Sequence, residues 1–499
     1  MDWKVVAKEA QASVLEAIPV QWRLNREDYH GQKDVSKVPY TCGILTEEQI
    51  QITELTATEI VKRLELRTLK AVQVLEAFAA RTAIAHQLVN CLTEWFYEEG
   101  LQQARELDED IARGEGLRGP LHGVPVALKD VHELKDHVST MGYVSRRRNV
   151  LKQDSALIRT LRAAGAVFFC KTTMPQSGMT LETVSNLWGR TTNPFNRDLV
   201  AGGSSGGDAV LVALKGSPIA PSTDLGGSIR VPAAFNGLYG IRPTADRIPK
   251  GGMRNTNTGN ITIKLSCGPV CHSLDDLKLF TRIINADPNN RYDVTSVPVP
   301  WRELDPLPRK LTIGIMTWDG VVMPHPPVLR AMDYTKQVLE KAGHEGKIFK
   351  PREQSAAEAL KLNLKTRALK EQFAETWDNT ARRTVSGRAI DALIMPTSPA
   401  VGYPHDFNIY WGYTSLLNLI DYPSVILPIA NFRVDPHLDP VDHSYKPLET
   451  NPYDRPNLEL YRPELFTNQP STIQIVGRPF EDEELIRTSY ILDDLFKDR

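Results

Sequence analysis

Ser155-Ala156-Leu157-Ile158-Arg159-Thr160-Leu161-Arg162-Ala163-Ala164-Gly165-Ala166-Val167-Phe168-Phe169-Cys170 reads as one complete helix–turn–strand unit. Asp154 or Ser155 offers an oxygen to the helix N-terminus, Leu157, Ile158 and Leu161 form an apolar stripe at helical spacing, and Gly165 supplies the stop. Val167 to Cys170 then has the short, wholly apolar pattern of a buried strand. The unit is written in an α/β grammar.

The same grammar extends in both directions. Upstream, Leu55 to His86 carries Ile60, Val61, Leu64, Val72, Leu75 and Phe78 at helical spacing, and Leu101 to Arg113 predicts a further helix, so residues 1–100 read as a mainly helical region. Val124-Pro125-Val126-Ala127-Leu128 reads as a buried strand. Downstream, strands are predicted at Leu311 to Met316, Asp391 to Met395, Val425 to Ile429 and Ile473 to Val476. A helix from Val328 to Ala342 ends at Gly343, and an amphipathic helix from about Asp482 to Phe496 closes the chain. Strands separated by helices predict a large mixed β-sheet covered by helices on both faces. One domain over residues 1–499 is the expectation, with the proline- and charge-rich stretches Val297 to Pro308 and Phe432 to Pro470 as surface loops.

The 499 residues are 41% hydrophobic and 24% charged, the balance of an ordinary soluble protein. With 59 basic against 61 acidic residues, the net charge of -2 gives no reason to expect a nucleic-acid or anionic-membrane partner. A small-molecule substrate is therefore expected. Met1-Asp2-Trp3-Lys4 opens no apolar signal region, and no run approaches the roughly 18 apolar residues of a membrane span. Five cysteines, odd in number and scattered, point to a reducing, cytoplasmic setting. Cys267 and Cys271, the only close pair, read as packing residues rather than metal ligands.

Two runs carry chemistry: Gly202-Gly203-Ser204-Ser205-Gly206-Gly207 and Asp224-Leu225-Gly226-Gly227-Ser228-Ile229-Arg230. Each sets serine among glycines, where the backbone can approach a carbonyl and several N–H groups can point one way. Serine needs a base, and Lys129, at the end of His122-Gly123-Val124-Pro125-Val126-Ala127-Leu128-Lys129-Asp130, is the candidate. A free lysine titrates near about 10.4, so this one must be buried to be neutral. A phosphate-binding loop would end in Gly-Lys-Ser/Thr, whereas this run ends in Gly-Asp. His132-Glu133-Leu134-Lys135-Asp136-His137 spaces its histidines five apart, not the four of a metalloprotease helix, and no serine is followed by lysine three residues later. Gly-x-Ser-x-Gly also satisfies a nucleophile elbow, and with His405, His437 and His443 downstream that reading stays open on spacing.

Taken together, these stretches resemble the amidase signature family, and within it the fungal acetamidase-like amidases. Gly189-Arg190-Thr191-Thr192-Asn193-Pro194 and Ala233-Ala234-Phe235-Asn236-Gly237-Leu238-Tyr239-Gly240 match as well, with weaker similarity through Asn418 and Asp421-Tyr422-Pro423. The resemblance implies the amidase signature fold and a catalytic set of Lys129 as base, Ser204 as bridging serine on a cis peptide bond, and Ser228 as nucleophile. It implies an oxyanion hole from the backbone N–H groups of Leu225, Gly226, Gly227 and Ser228, and supporting roles for Ser205, Thr223, Asp224 and Arg230. Gly178 and Met179 match substrate-pocket positions. The implied activity is hydrolysis of a small carboxamide to acid and ammonia or amine through an acyl-enzyme, without metal or organic cofactor, and similar proteins suggest a homodimer. A glutamine-dependent amidotransferase subunit and a catalytically degenerate binding or assembly protein are the alternatives. The chain departs from the family at Ala201 and Asp208, the latter where glutamate is common, and in a stretch near Pro351 to Lys370 that is shorter than in similar fungal amidases.

Overall fold

A computed structural model of the chain describes residues 2–254, 262–286, 293, 296–307, 309–348, 362–448 and 451–497. Its thirteen strands are β1 (Leu92–Trp95), β2 (Pro125–Lys129), β3 (Val167–Thr172), β4 (Val184–Ser185), β5 (Gly189–Arg190), β6 (Ile219–Asp224), β7 (Tyr239–Arg242), β8 (Ser266–Cys271), β9 (Thr312–Ile315), β10 (Glu345–Ile348), β11 (Ala392–Met395), β12 (Ser424–Arg433) and β13 (Pro470–Val476). Eleven of them form one sheet in the order β1-β3-β2-β6-β8-β7-β12-β13-β11-β9-β10, while β4 and β5 pair separately. The sheet is mixed: β2 runs parallel to β3 and β6, β9 parallel to β10 and β11, and the central pairings from β6 to β13 are antiparallel. Every residue of β2, β3, β6 and β8 is buried, as strands covered on both faces require. The expected large mixed sheet with helices is present.

Local chemistry explains the unit quoted first. The helix spans Ala156–Ala163 with Ser155 at its N-cap, but the Ser155 side chain makes no capping bond. Asp154 instead accepts from the Lys135 N–H at 2.8 Å and from Arg162 Nε at 3.0 Å, tying the helix to the loop that follows β2. Gly165 sits at φ +91°, and a Cβ there would lie 2.7 Å from the His122 backbone. Only glycine allows that close approach just before β2.

Two predicted elements differ. Leu55 to His86 is not one helix but two, Ala57–Glu65 and Ala71–Val89. Arg67 turns left-handed at φ +56° between them, and the Asp108 carboxylate receives the N–H groups of Ala71 and Val72 to start the second helix. The stretch from 432 to 470 is not simply a surface loop. It contains a helix at Asp454–Leu460, and Tyr461 and Phe466 are buried with Leu199, Val328, Val401 and Val434 in a satellite core.

Candidate active site

Strand β2 delivers Lys129 into the interior. Its Nζ lies 2.9 Å from Ser204 Oγ, 2.7 Å from Ser205 Oγ and 2.9 Å from Thr223 Oγ1, and the side chain has no solvent exposure. Three hydroxyls from two separate segments thus converge on one amine. Burial pushes this lysine down to about 8, against the opposing pull of Asp208, Asp224 and Cys267. That brings a neutral fraction within reach near neutral pH, as a general base needs.

Ser204 and Ser205 lead into the helix Gly206–Ala213, and the Gly203–Ser204 peptide is cis. The glycines are dictated by crowding. A Cβ on Gly203 would stand 2.7 Å from the Thr180 carbonyl oxygen, and one on Gly207 2.5 Å from the Thr173 nitrogen. The Ser205 N–H donates to the Ser228 carbonyl at 3.2 Å, which joins this loop to the second serine-bearing turn.

That second turn, 224–230, is wound around the Asp224 carboxylate. Asp224 Oδ1 accepts from the Gly227 N–H at 2.8 Å and Asn418 Nδ2 at 2.9 Å, and Oδ2 from the Ile229 N–H at 3.0 Å. Arg230 closes the arrangement with Nε and Nη2 each 3.0 Å from Asp224, and its Nη1 reaches Gln474 on β13 at 3.0 Å. Both side chains are fully buried, and Arg230 beside it holds the Asp224 carboxyl far below the usual carboxylate range despite burial. The helix Gly412–Ile420 braces the same turn: Thr414 Oγ1 donates to the Gly226 carbonyl at 2.7 Å, and the Trp411 ring lies 3.0 Å from where a Gly226 Cβ would stand.

The Gly227 N–H, one of the four implied oxyanion donors, is directed to the Asp224 carboxylate. Among the described residues, the N–H groups of Leu225, Gly226 and Ser228 have no protein partner, and Ser228 is 6% exposed. Thr223 and Ser205 contact Lys129, and Asp224 and Arg230 pair beneath the Ser228 turn. Gly178, at φ +73°, has a Cβ position 3.8 Å from Ser204 Oγ, and Met179 is partly exposed beside it in sequence. The elbow reading loses its base: both ring nitrogens of His405 are engaged, by Glu182 and the Arg197 carbonyl, while His437 and His443 are exposed. Asp130, next to the lysine in sequence, turns instead to the Thr140 N–H and to Lys171 at 3.7 Å.

Sequence reasoning missed Thr414, Trp411 and Gln474, which stand far downstream of the serine motifs and carry no local pattern. Asn418 alone was foreshadowed, by resemblance. Asp208 was noticed only as a departure. Its carboxylate is wholly buried, accepts from Ser222 Oγ at 2.6 Å and from Thr172 Oγ1, and is pushed up to about 6 by burial.

The family model described as Amidase matches residues 73–374. An amidase of Gibberella zeae is 61% identical over 100% of both chains, and an acetamidase of Emericella nidulans is 36% identical over 97% of this chain and 96% of its own. A solved fatty acid amide hydrolase superposes with a TM-score of 0.90 at 30% identity, covering 99% of this chain and 95% of that one. The alignment with the Gibberella protein runs over 544 positions, more than the 499 residues here, so that relative carries residues with no counterpart in this chain. Of the stretch expected to be short, residues 351–361 lie outside the described residues; the helix Leu362–Asn379 follows.

Proposed function

Because the chain belongs to the amidase signature family and is a hydrolase of amide carbon–nitrogen bonds, we propose that it cleaves small carboxamides to an acid and ammonia or an amine through a Lys129–Ser204–Ser228 relay. Neutral Lys129 takes a proton from Ser204, which takes one from Ser228 as the Ser228 Oγ attacks the amide carbonyl. The N–H groups of Leu225, Gly226 and Ser228 stabilise the developing oxyanion. The relay returns the proton to the departing nitrogen, and water attacks the acyl-enzyme with the same groups acting again as base and acid. Gly178 and Met179 flank the acyl group. The five cysteines, all unpaired, fit a cytoplasmic setting.

The observation that carries this reading is the buried contact of Lys129 with the two loop serines and Thr223. No observation favours an amidotransferase or a degenerate binding protein. The test is ammonia release from acetamide, propionamide, hexanamide and benzamide by the purified chain alone. Turnover of at least one amide, lost in Ser228→Ala, is expected; glutamine hydrolysis that needs an added protein, or no release from any amide, would refute it.

A further inference from the structure

We propose that Asp208 is a positioning residue for the reaction, the unmatched negative charge that faces Lys129 among the described residues and decides at which pH this lysine becomes available as a base. The inference rests on the relay above and concerns how that relay is tuned.

Asp208 lies in the first turn of the helix Gly206–Ala213, just after the two loop serines, and is fully buried. Its two oxygens are held by Thr172 and Ser222. Thr172 on β3 is the register partner of Lys129 on β2, and Ser222 on β6 precedes Thr223, which itself hydrogen-bonds Lys129. The carboxylate is thus held by donors on β3 and β6, the two strands that flank the lysine's β2.

The charges around them single out this pair. Asp224 also faces Lys129, but its charge is matched by the double contact with Arg230. Both donors to Asp208 are neutral hydroxyls, so they orient the carboxylate without cancelling it. The Cys91, Cys170 and Cys267 thiols that face Asp208 are pushed up by burial and stay neutral. His132, which faces Lys129, is pushed down to about 3 and donates its ring proton to the Pro221 carbonyl, while Lys171 is turned to Asp130 and the His132 carbonyl. What remains is one cation and one anion, both fully buried. When Lys129 takes the serine proton, Asp208 stabilises the ammonium; without that charge the ammonium is harder to form and the amine stays neutral to lower pH.

The experiment follows the second-order rate of covalent labelling by a fluorophosphonate from pH 5.5 to 10, which needs no knowledge of the natural amide. In wild type the rate rises with pH to a plateau. In Asp208→Asn the midpoint of that rise is expected to move down by about one pH unit or more, and in Asp208→Glu, which keeps the charge, to return to within about half a unit of wild type. A folded Asp208→Asn protein whose rate falls equally at every pH, with its midpoint unmoved, overturns the proposal and leaves a purely structural role. Should Asp208→Asn not fold, Asp208→Ser decides: it too removes the charge, so the midpoint must move the same way, and an unmoved midpoint overturns the proposal. A wild-type rate that is flat across the range would instead overturn the relay itself, and this inference with it.

Discussion

Replacing Lys129 by methionine removes the buried amine while filling nearly the same volume, and its effect on stability has a pH signature that can be worked out beforehand. An ordinary lysine in the unfolded chain titrates near 10.5, and Lys129 in the folded protein at about 8. Between those values the unfolded chain binds the extra proton, so wild-type stability rises with pH there. The burial cost is fully present below about pH 8 and gone above about 10.5. At about 1.36 kcal/mol per pH unit it amounts to about 3 kcal/mol. The variant also loses three hydroxyl contacts and the partner charge of Asp208, but those losses do not titrate between 8 and 10.5. Urea unfolding of both proteins at half-unit steps from pH 7.5 to 10.5 brings out the amine, because groups that do not interact with it cancel in the difference. Wild type should gain about 3 kcal/mol on the variant across the window. A difference constant to within about 1 kcal/mol would mean that Lys129 carries an ordinary amine, and the relay would lose its base.

Further outcomes follow from the turn around Asp224. Arg230→Met leaves a fully buried carboxylate without its ion-pair partner, so a loss of about 3 to 5 kcal/mol in unfolding free energy is expected, and a loss under about 1 kcal/mol would show that the pair does not hold the turn. Gly226→Ala places a methyl 3.0 Å from the Trp411 ring, and kcat/KM should fall about tenfold or more as the Gly226 N–H is displaced. Adding Trp411→Ala should restore most of that loss; a double variant no better than the single one would locate the damage elsewhere. Thr414→Val, which removes the hydroxyl from the Gly226 carbonyl, should cost about 1 kcal/mol of stability and lower kcat more than it raises KM, as steady-state kinetics would read.

Much of this was legible in the chain. Val124 to Leu128 and Val167 to Cys170 announce buried strands because both of their faces are apolar, and the glycine spacing around Ser204 and Ser228 announces backbone pressed against neighbours. What was hidden is what long-range pairing decides. Nothing near Lys129 says that β2 lies between β3 and β6, which is the placement that brings Thr172, Ser222 and Thr223 around it. The break at Arg67 escaped because apolar spacing continues in phase on either side, while its cause, the Asp108 carboxylate, sits in a later helix. The four N–H groups of Leu225, Gly226, Gly227 and Ser228 stand together in the resemblance; that the Gly227 N–H turns to Asp224 is set by a side-chain contact to which spacing is blind. Tyr461 and Phe466 were hidden in a proline-rich stretch whose composition outweighed their size.

Everything here turns on a hydroxyl made nucleophilic by a distant amine. Intact-mass and peptide mapping after fluorophosphonate treatment at pH 8 should show one adduct, on Ser228, absent from folded Ser228→Ala and strongly slowed in Lys129→Met. An adduct on Ser204 or on any other residue, or unchanged labelling of Ser228 in Lys129→Met, would contradict the relay.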